Sequence, residues 1–474
     1  MRGAWWTVSV FGAAFICGGA ADGQLFEEPI TPSKYHHPEY EEMGYDPAYA
    51  AGGLPSFDAE GRPCMIVSYP FARSEPPQTT VPGHFGDLMY LRRDGWHFVD
   101  LESVMREALD EPEGEGGSAG YAKQPEFIAE TDEMLLPAQY LKADGSYALM
   151  LITSPDHFES FEVHTIEDGY AVPYNRVAME HFAGHNVLRW PLVIATGRHA
   201  DDEPEERFVD YPGKLYYHVL DRVDGDVMSI DSGTLSDSAS RNPIGSMYVT
   251  TQIVSTPERT HVAWHETQVG VERGGNRTYI STYEVATGEW TEKTFVGPAS
   301  DDHGFPTVAL DSEGRIHQLC GAHSSQVYYT HSTRPDDGSQ FEPLEPIPGA
   351  SKGTHLSFVC DLQDGLHLFF RDNIGMGPDG DRGGLAYTRR IGGGWESARR
   401  VANSPQPGYR RMCNHLSMDR QGRLFLNYGY LTLDYRSEGK VAEWYYPVLA
   451  YSADRGDSWS LVPDDFGLFG EARE

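Results

Sequence analysis

Four residues suited to acid–base and anion chemistry stand at matched positions of the chain: His303, His323, His355 and Arg371. Histidine gains and loses a proton near neutral pH, so an imidazole can act there as a general base or acid. Arginine presents a planar fork of donors that fits a carboxylate. Together they suit the removal of a proton next to a carboxylate, because the guanidinium offsets the charge that builds up there.

The stretch 301–332 indicates how two of these histidines reach one place. It reads DDHGFPTVALDSEGRIHQLCGAHSSQVYYTHS, with His303 at a strand start, a tight D-S-E-G turn, and His323 where the second strand ends. Because antiparallel strands return to the edge they started from, we expect both histidines at one rim of a small sheet. The next unit, GTHLSFVCDLQDGLHLFFRDN, repeats this construction with His355 and Arg371.

The same strand–turn–strand unit recurs along the chain, and we count seven copies. They are PSFDAEGRPCMIVSY, AQYLKADGSYALMLI, WPLVIATGR, VSTPERTHVAWH, PTVALDSEGRIHQL, LSFVCDLQDGLHLFF and LSMDRQGRLFLNY. Most add a third strand with a central tyrosine, and four close on Trp96, Trp290, Trp395 or Trp459 after a glycine-containing turn. Short alternating strands at this spacing predict an all-β fold, a seven-bladed β-propeller of four-stranded antiparallel blades.

The predicted propeller is one domain over residues 54–468, between an extended arm at 22–53 and a C-terminal tail at 469–474. We interpret the helix-like stretch 103–111 as an insertion and the acidic, glycine-rich run 111–120 as a surface loop.

The last unit contains SADRGDSW, Ser452 to Trp459, which matches the S-x-D-x-G-x-[ST]-W Asp-box of sialidase-type propellers. In that motif the aspartate and serine pin a β-turn, and the tryptophan packs between blades. The octapeptide is specific for the type of blade and carries no information about the reaction.

The pattern D-H-G-x-P, D-x-x-G-R-I-H, G-A-H and Y-x-x-S resembles the BNR-repeat group of propellers that includes ulvan lyases, rhamnosyl-glucuronate lyases and rhamnosidases. In those lyases two histidines twenty residues apart are followed by a tyrosine in T-Y-P, and an arginine follows sixteen residues later. Here His303 and His323 are twenty apart, His355 and Arg371 sixteen apart, and His355 in T-H-L replaces the tyrosine. The match covers about two blades.

The resemblance implies a secreted polysaccharide lyase that cleaves a uronic-acid-containing, ulvan-like rhamnose–glucuronate polysaccharide by β-elimination. It also implies that the four residues are catalytic. Five neighbouring residues are candidates for substrate binding: Asp302, Asn373, Arg411, Asn414 and His415. Three residues that precede another unit are further subsite candidates: His181, His185 and Arg189.

No cofactor is required for this chemistry, although a structural zinc or calcium stays open. Cys413 and His415 have the C-x-H spacing of two zinc ligands, and a zinc site normally takes at least three from the protein. The four cysteines beyond the leader are expected to be buried free thiols, since a chain of this size does not need disulfides for stability: Cys64, Cys320, Cys360 and Cys413.

Residues 1–21 predict a secretory signal peptide, because Arg2 precedes the apolar run WWTVSVFGAAFIC and small residues follow it. We therefore expect a secreted protein, extracellular or periplasmic, and a monomer. The formal net charge of −34 disfavours nucleic acid and anionic membranes as partners. An anionic polysaccharide is the expected partner, which requires a locally basic site.

Three classes of function remain open on this evidence. The first is the lyase. The second is a glycoside hydrolase on the same propeller, an α-L-rhamnosidase or a sialidase-like enzyme, although the sequence has no F-R-I-P-like start. The third is a carbohydrate-binding propeller without catalysis, because a fold alone does not imply an activity.

Overall fold

The computed structural model describes sixteen ranges of the chain: 51–52, 55–68, 87–92, 95–112, 116–121, 125–174, 176–198, 213–240, 252–267, 275–299, 306–323, 325–351, 353–372, 384–403, 412–435 and 441–461. The predicted signal peptide, the predicted tail and most of the predicted arm lie outside these ranges.

The described chain is all-β apart from one helix, α1 (Leu101–Ala108), and its strands form six antiparallel sheets in chain order. The first sheet contains β1 (Ala51–Gly52), β2 (Ser56–Phe57), β3 (Pro63–Ser68), β4 (Asp87–Arg92) and β5 (Gly95–Val99). The second contains β6 (Gly117–Tyr121), β7 (Glu126–Phe127), β8 (Met134–Leu141), β9 (Tyr147–Ser154) and β10 (Glu162–Tyr170).

The third sheet has nine strands: β11 (Arg176–Met179), β12 (Leu192–Arg198), β13 (Gly213–Val223), β14 (Asp226–Ala239), β15 (Ile253–Ser255), β16 (Arg259–Glu266), β17 (Arg277–Glu284), β18 (Glu289–Trp290) and β19 (Thr294–Pro298). It consists of two units, β11 to β14 and β15 to β19, joined by the pairing of Ala239 with Glu266.

The last three sheets each follow a simple up-and-down order. The fourth contains β20 (Thr307–Leu310), β21 (Ile316–Gly321), β22 (Gln326–His331) and β23 (Glu345–Ser351). The fifth contains β24 (Gly353–Cys360), β25 (Leu366–Asp372), β26 (Gly384–Ile391), β27 (Gly394–Trp395) and β28 (Arg399–Asn403). The sixth contains β29 (Met412–Met418), β30 (Leu424–Tyr435), β31 (Val441–Ser452) and β32 (Ser460–Leu461).

An aspartate fixes the turn between the first two strands of the last three sheets. Asp311 accepts hydrogen bonds from the backbone N–H groups of Glu313 (3.0 Å) and Arg315 (2.8 Å). Asp361 and Asp419 do the same in the fifth and sixth sheets. By accepting these backbone hydrogen bonds, each aspartate stabilises the turn and sets the register of the two strands. The repeated D-x-x-G pattern therefore has a structural role.

Two of these aspartates also anchor buried histidines. In the fifth sheet His367 is fully buried, with Nδ1 2.8 Å from the Tyr387 hydroxyl and Nε2 2.9 Å from the Asp361 carboxylate. The fourth sheet repeats this Asp–His–Tyr arrangement around His317. Because each polar atom in these sets has a partner, the sets tie the turn to the third strand without leaving an unsatisfied group.

The predicted Asp-box forms as expected. Asp454 accepts hydrogen bonds from the N–H (2.9 Å) and hydroxyl of Ser458 and from the hydroxyl of Ser452 (2.8 Å). Trp459 is buried and meets Phe369 of the preceding sheet edge-on, with ring centroids 5.0 Å apart. The motif therefore joins neighbouring sheets.

A helix is confirmed within the predicted stretch, although it spans Leu101–Ala108 rather than 103–111, and the loop prediction for 111–120 is wrong in part. Helix α1 starts after Asp100, whose carboxylate accepts from Ser103 N–H at 3.1 Å, and it buries Leu101 and Met105. Residues 117–121, however, are strand β6 rather than loop, and they pair with β8. Gly117 has a positive φ of 154°, a backbone conformation that residues with a Cβ rarely adopt. Glycine at this position therefore allows the chain to form strand β6.

Residues 180–190, here called the crossing segment, connect β11 to β12 and touch several sheets. The N–H of Ala129 donates to Leu188 (3.0 Å), that of Val187 to Ser255 (2.9 Å), and that of Cys360 to Ala183 (3.0 Å). These partners lie at or just after the ends of β7, β15 and β24. The segment therefore lies across the far ends of the first strands of three units.

Glu180 anchors the start of the crossing segment. It is fully buried and accepts hydrogen bonds from the Ser255 N–H (2.7 Å), the Ser255 hydroxyl (2.5 Å) and the Asn186 amide (2.7 Å). Burial raises the pKa of Glu180 to about 7. The carboxyl thus ties the segment to β15 through the two donors of Ser255, and the Asn186 amide holds it within the segment.

Two further properties follow from the described residues. Cys64, Cys320 and Cys360 are buried free thiols, which confirms that prediction for three of the four cysteines. Within the described ranges, no helix combines the length and the apolar character needed to cross a bilayer.

The buried Asp–His–Tyr sets should contribute measurably to stability. We expect His367→Leu to lower the free energy of unfolding by about 3 kcal/mol, because it leaves the Asp361 carboxylate and the Tyr387 hydroxyl short of a partner in the core. Burial lowers the pKa of His367; although burial acts to raise that of Asp361, hydrogen bonds from His367 and Arg455 hold it below its usual range. The native state therefore binds fewer protons than the unfolded chain, and stability is lost as the pH falls below about 6.5.

Urea unfolding of the wild type and the variant at several pH values measures both effects. The variant should show the smaller loss on acidification. His331→Leu on the neighbouring sheet is the matched control, since His331 is only partly buried and should cost less than about 1 kcal/mol. Equal losses in the two variants would contradict the structural role of the set.

Candidate active site

His323 stands directly after β21, where the chain turns toward the fifth sheet. Ala322 and His323 both have left-handed backbones, with φ 70° and 37°. The His323 N–H donates to the carbonyl of Gly353, the first residue of β24, at 2.6 Å. Left-handed non-glycine residues carry a strain that a structure keeps only where other contacts impose it, and such residues cluster at functional sites. Here the two left-handed residues turn the chain so that His323 contacts the start of β24.

His355 lies in an irregularity of β24. Thr354 pairs with Arg371 and Ser357 with Phe369, so two residues of β24 face one residue of β25, and the one extra residue breaks the register. His355 is left-handed at φ 53° and buried, with 5% of its surface exposed. Bulges of this kind re-aim a side chain and are frequent next to active sites.

Arg371 is on β25, opposite Thr354 and beside the bulge. Only 1% of its surface is exposed, and it is the one charged side chain among the largest fully buried ones of the described residues. Its neighbour Asp372 faces Gly353 and accepts from Arg400 at 2.7 and 3.1 Å. Burying a guanidinium is costly unless it is paired, and Arg371 is nonetheless buried directly beside the bulge.

The pairing register therefore brings three of the four predicted catalytic residues to one corner. His323 is hydrogen-bonded to Gly353, Gly353 leads through Thr354 to His355, and Thr354 faces Arg371. His355 and Arg371 are nearly covered, whereas His323 is partly exposed. His303, the fourth residue, lies outside the described residues.

The sixth sheet reaches the same corner through β29. The N–H of Leu416 donates to the hydroxyl of Ser357 at 2.6 Å, so His415 lies beside β24 within two residues of the bulge. His415 is partly exposed, as expected of a residue that could meet substrate. The side chain of Asn414 and the residues Asp302, Asn373 and Arg411 lie outside what the structure describes.

The three subsite candidates of the crossing segment do not join this corner. His185 Nε2 lies 3.1 Å from the carbonyl of Asp361, just past the end of β24, and Arg189 donates to the carbonyl of Thr256 at 2.9 Å. Strand β24 rises about 3.3 Å per residue, so its two ends are roughly 20 Å apart. His181, His185 and Arg189 precede a unit in sequence, but the long connection carries them to the opposite end of the strands.

One cationic group near several aromatic rings was not predicted from the sequence. Arg198, at the end of β12, lies over the rings of Tyr174, Tyr170 and Tyr216, with its guanidinium carbon 4.5, 5.3 and 5.7 Å from the centroids. It ends the second strand of its unit, as Arg371 does in the fifth sheet. This equivalent position could have indicated Arg198 in the sequence, but the WPLVIATGR unit contains no histidine that would mark it as a candidate site.

The comparisons with known proteins agree with the motifs. Residues 254–461 match the sequence model of a BNR repeat-containing family. This confirms the resemblance to BNR-repeat proteins, and the matched stretch contains the whole described corner. A curated ulvan lyase of polysaccharide lyase family 25 from Pseudoalteromonas sp. (strain PLSV) is 31% identical in an alignment of length 118, and the match covers 20% of this chain and 24% of the relative.

The chain thus spans about a quarter of the length of that curated relative. Among solved structures, an ulvan lyase of the same family bound to -[GlcA(1-4)Rha3S]- is 18% identical, covers 47% of this chain and 55% of its own, and has a TM-score of 0.37. A Trypanosoma rangeli sialidase in complex with DANA is 10% identical, with coverages of 77% and 57% and a TM-score of 0.37. Superpositions at such scores carry no argument about the chemistry.

The left-handed backbone of His355 gives a direct test of the bulge. We expect His355→Gly to be more stable than His355→Ala by about 1 kcal/mol, because glycine adopts a positive φ without the penalty that a Cβ carries. Thermal unfolding of the two variants measures the difference. At His331, a strand position without a positive φ, the order should reverse, and the same order at both sites would contradict the bulge.

Proposed function

We propose that this chain is a polysaccharide lyase that cleaves a uronic-acid-containing polysaccharide by β-elimination. The observation that carries the proposal is the corner of His323, His355 and Arg371, which the register of β24 and β25 assembles from residues distant in sequence. The family match over residues 254–461 and the short alignment with an ulvan lyase support the same class.

Each group has a defined role in the proposed reaction. The guanidinium of Arg371 binds the substrate carboxylate through two parallel hydrogen bonds and stabilises the negative charge that forms when the adjacent carbon loses its proton. A neutral imidazole takes that proton. The carbon–oxygen bond on the neighbouring carbon breaks, a carbon–carbon double bond forms, and a protonated group returns a proton to the leaving oxygen. His303, His323 and His355 are the proposed base and acid.

The expected substrate is an ulvan-like rhamnose–glucuronate polymer, and Asp302, Asn373, Arg411, Asn414 and His415 are the proposed substrate-binding residues. His415 supports this set, because its strand is hydrogen-bonded to β24 beside the bulge. No nucleic acid or membrane is invoked as a partner. Export through the predicted signal peptide, followed by action as a monomer, would bring the enzyme to such a polymer.

We further propose that the sheets form one closed ring of seven four-stranded blades over residues 54–468, between the arm at 22–53 and the tail at 469–474. The third sheet supplies two of the seven units, since one pairing joins its halves. Closure is supported by contact between the first and last sheets, where the rings of Phe57 and Phe425 are 4.4 Å apart.

The closed ring predicts one cooperative unit. Phe57→Ala and Phe425→Ala should each lower the free energy of unfolding by about 3–5 kcal/mol, and together by less than the sum, because they remove one shared contact. Thermal unfolding should show a single transition in the wild type. Two independent transitions, or a stable folded fragment after limited proteolysis, would count against closure.

The reaction itself is tested by digesting a panel of uronate polymers, with ulvan among them. A lyase creates a double bond conjugated to the carboxylate at the new non-reducing end, which absorbs in the near ultraviolet. A hydrolase releases reducing ends without that absorbance. Reducing ends alone would therefore replace the lyase with a hydrolase, and neither product would favour a binding propeller.

The same assay tests the roles of the corner. Arg371→Lys should lower kcat/KM at least about 100-fold although the charge is kept, because an ammonium cannot reproduce the two-pronged geometry. Arg390→Lys is the matched control and should retain activity. Arg390 lies on the neighbouring strand β26, opposite Leu366, whereas Arg371 is opposite Leu385 near the other end of that strand. His355→Tyr should keep more activity than His355→Ala. Full activity in Arg371→Ala and His323→Ala would refute the assignment.

A further inference from the structure

Three side chains with different metal-binding atoms meet at the far end of β24: His185, Cys360 and Asp364. One nitrogen, the sulfur and one carboxylate oxygen all lie within 4.8 Å of one another. His185 Nε2 is 3.2 Å from Asp364 Oδ1. The donors come from the crossing segment, from the last residue of β24 and from the turn that follows it.

The separation of the nitrogen and oxygen donors fits a tetrahedral cation. Zinc bonds of about 2.0–2.3 Å at tetrahedral angles place nitrogen and oxygen ligands roughly 3.3 Å apart, and sulfur and nitrogen ligands roughly 3.6 Å apart. The nitrogen–oxygen separation already matches this geometry. The mixed set of thiolate, imidazole and carboxylate is one that zinc accepts, whereas calcium and magnesium require oxygen ligands.

The backbone is shaped to hold His185 close to Cys360. The Cys360 N–H donates to the carbonyl of Ala183 at 3.0 Å. Gly184, at φ 137°, packs so tightly that a Cβ there would lie 2.1 Å from the Cys360 carbonyl oxygen. Only glycine permits this approach, which carries the next residue, His185, over the end of β24.

Asp364 is oriented in turn by the neighbouring sheet. Its Oδ1 accepts from the N–H of Ser312 at 2.8 Å and its Oδ2 from the hydroxyl of Ser312 at 2.7 Å. A carboxylate oxygen that accepts one hydrogen bond still has a lone pair for a cation. Hydrogen bonds of this kind hold metal ligands in place in known sites.

We propose that His185, Cys360 and Asp364 bind one zinc ion that fastens the crossing segment to the fifth sheet. The carbonyl oxygen of Asp361, 3.1 Å from His185 Nε2, or a water molecule completes the four ligands. Binding exchanges the thiol proton for the metal, so one proton passes to solvent for each zinc bound. The role is structural, because the site is at the opposite end of β24 from Arg371.

A second group of donors, Asp58, Glu60, Asp132 and His157, does not support an equal proposal. Arg62 lies within it and binds Asp58 at 2.5 Å and Glu60 at 2.8 Å. The guanidinium already neutralises the charge that a cation would be expected to balance.

The test uses the full-length protein, freed of metal by a chelator and titrated first with Co²⁺ and then with Zn²⁺. We expect one equivalent of Co²⁺ to give the intense near-ultraviolet band of a cobalt–thiolate bond, and Zn²⁺ to displace it with loss of the band. Cys320→Ser is the matched control, because Cys320 is another buried free thiol that belongs to no such donor group among the described residues. That variant should bind as the wild type does.

The ligand variants should separate a built site from a chance contact. Cys360→Ser should abolish the band and weaken zinc binding at least about 100-fold, and Ser312→Ala should weaken it about 10- to 100-fold. Asp364→Asn guards against misfolding: asparagine tolerates the φ of 62° at this turn, and the side chain is half exposed. It should fold and bind zinc weakly. No band in the wild type, or a band that survives in Cys360→Ser, would overturn the proposal, as would undiminished zinc binding by Asp364→Asn.

Discussion

The candidate site depends on one break in the pairing of β24 with β25. Up to Thr354 and again from Ser357 the two strands are in register, and the extra chain between them puts His355 into a left-handed conformation beside Arg371. Without the bulge, each of these residues would occupy an ordinary strand position. His323 is added by its hydrogen bond to Gly353. The corner thus exists because left-handed residues in one loop, after β21, and in one strand, β24, are held by the regular pairing of β24 with β25.

The two ends of β24 have different surroundings. Its start carries the corner with the buried Arg371, whereas its end meets the crossing segment at Cys360. The Asp361 turn between β24 and β25 is fixed by backbone hydrogen bonds, His367 and Arg455. These contacts fix the register with which β25 starts, and β25 continues to Arg371. The turn and the corner are therefore connected by a single strand pair.

The sequence predicted the strand pairs, because they follow from local alternation, and the pairing brings the backbones of His323, His355 and Arg371 near one another, whereas their joint catalytic role stays a prediction. It could not predict the bulge, since nothing in T-H-L marks a left-handed histidine. It also misplaced His185, because the path of a connection depends on packing between distant segments. A second Asp-box-like turn, Ser154 to Phe161, was missed for a different reason. Asp156 makes the same bonds there to Ser160, but Phe158 and Phe161 replace the glycine and tryptophan of the motif.

An acidic protein can nevertheless host a site for an anion, because the two effects act over different distances. The net charge of −34 repels an anionic polymer through solvent, where salt screens the interaction beyond about 8 Å. The guanidinium of Arg371 lies away from water, where the local dielectric is low and attraction at contact is strong. Asp372, the nearest carboxylate in sequence, is bound to Arg400. Arg371 therefore places a positive charge at the corner, and the surface charge governs solubility.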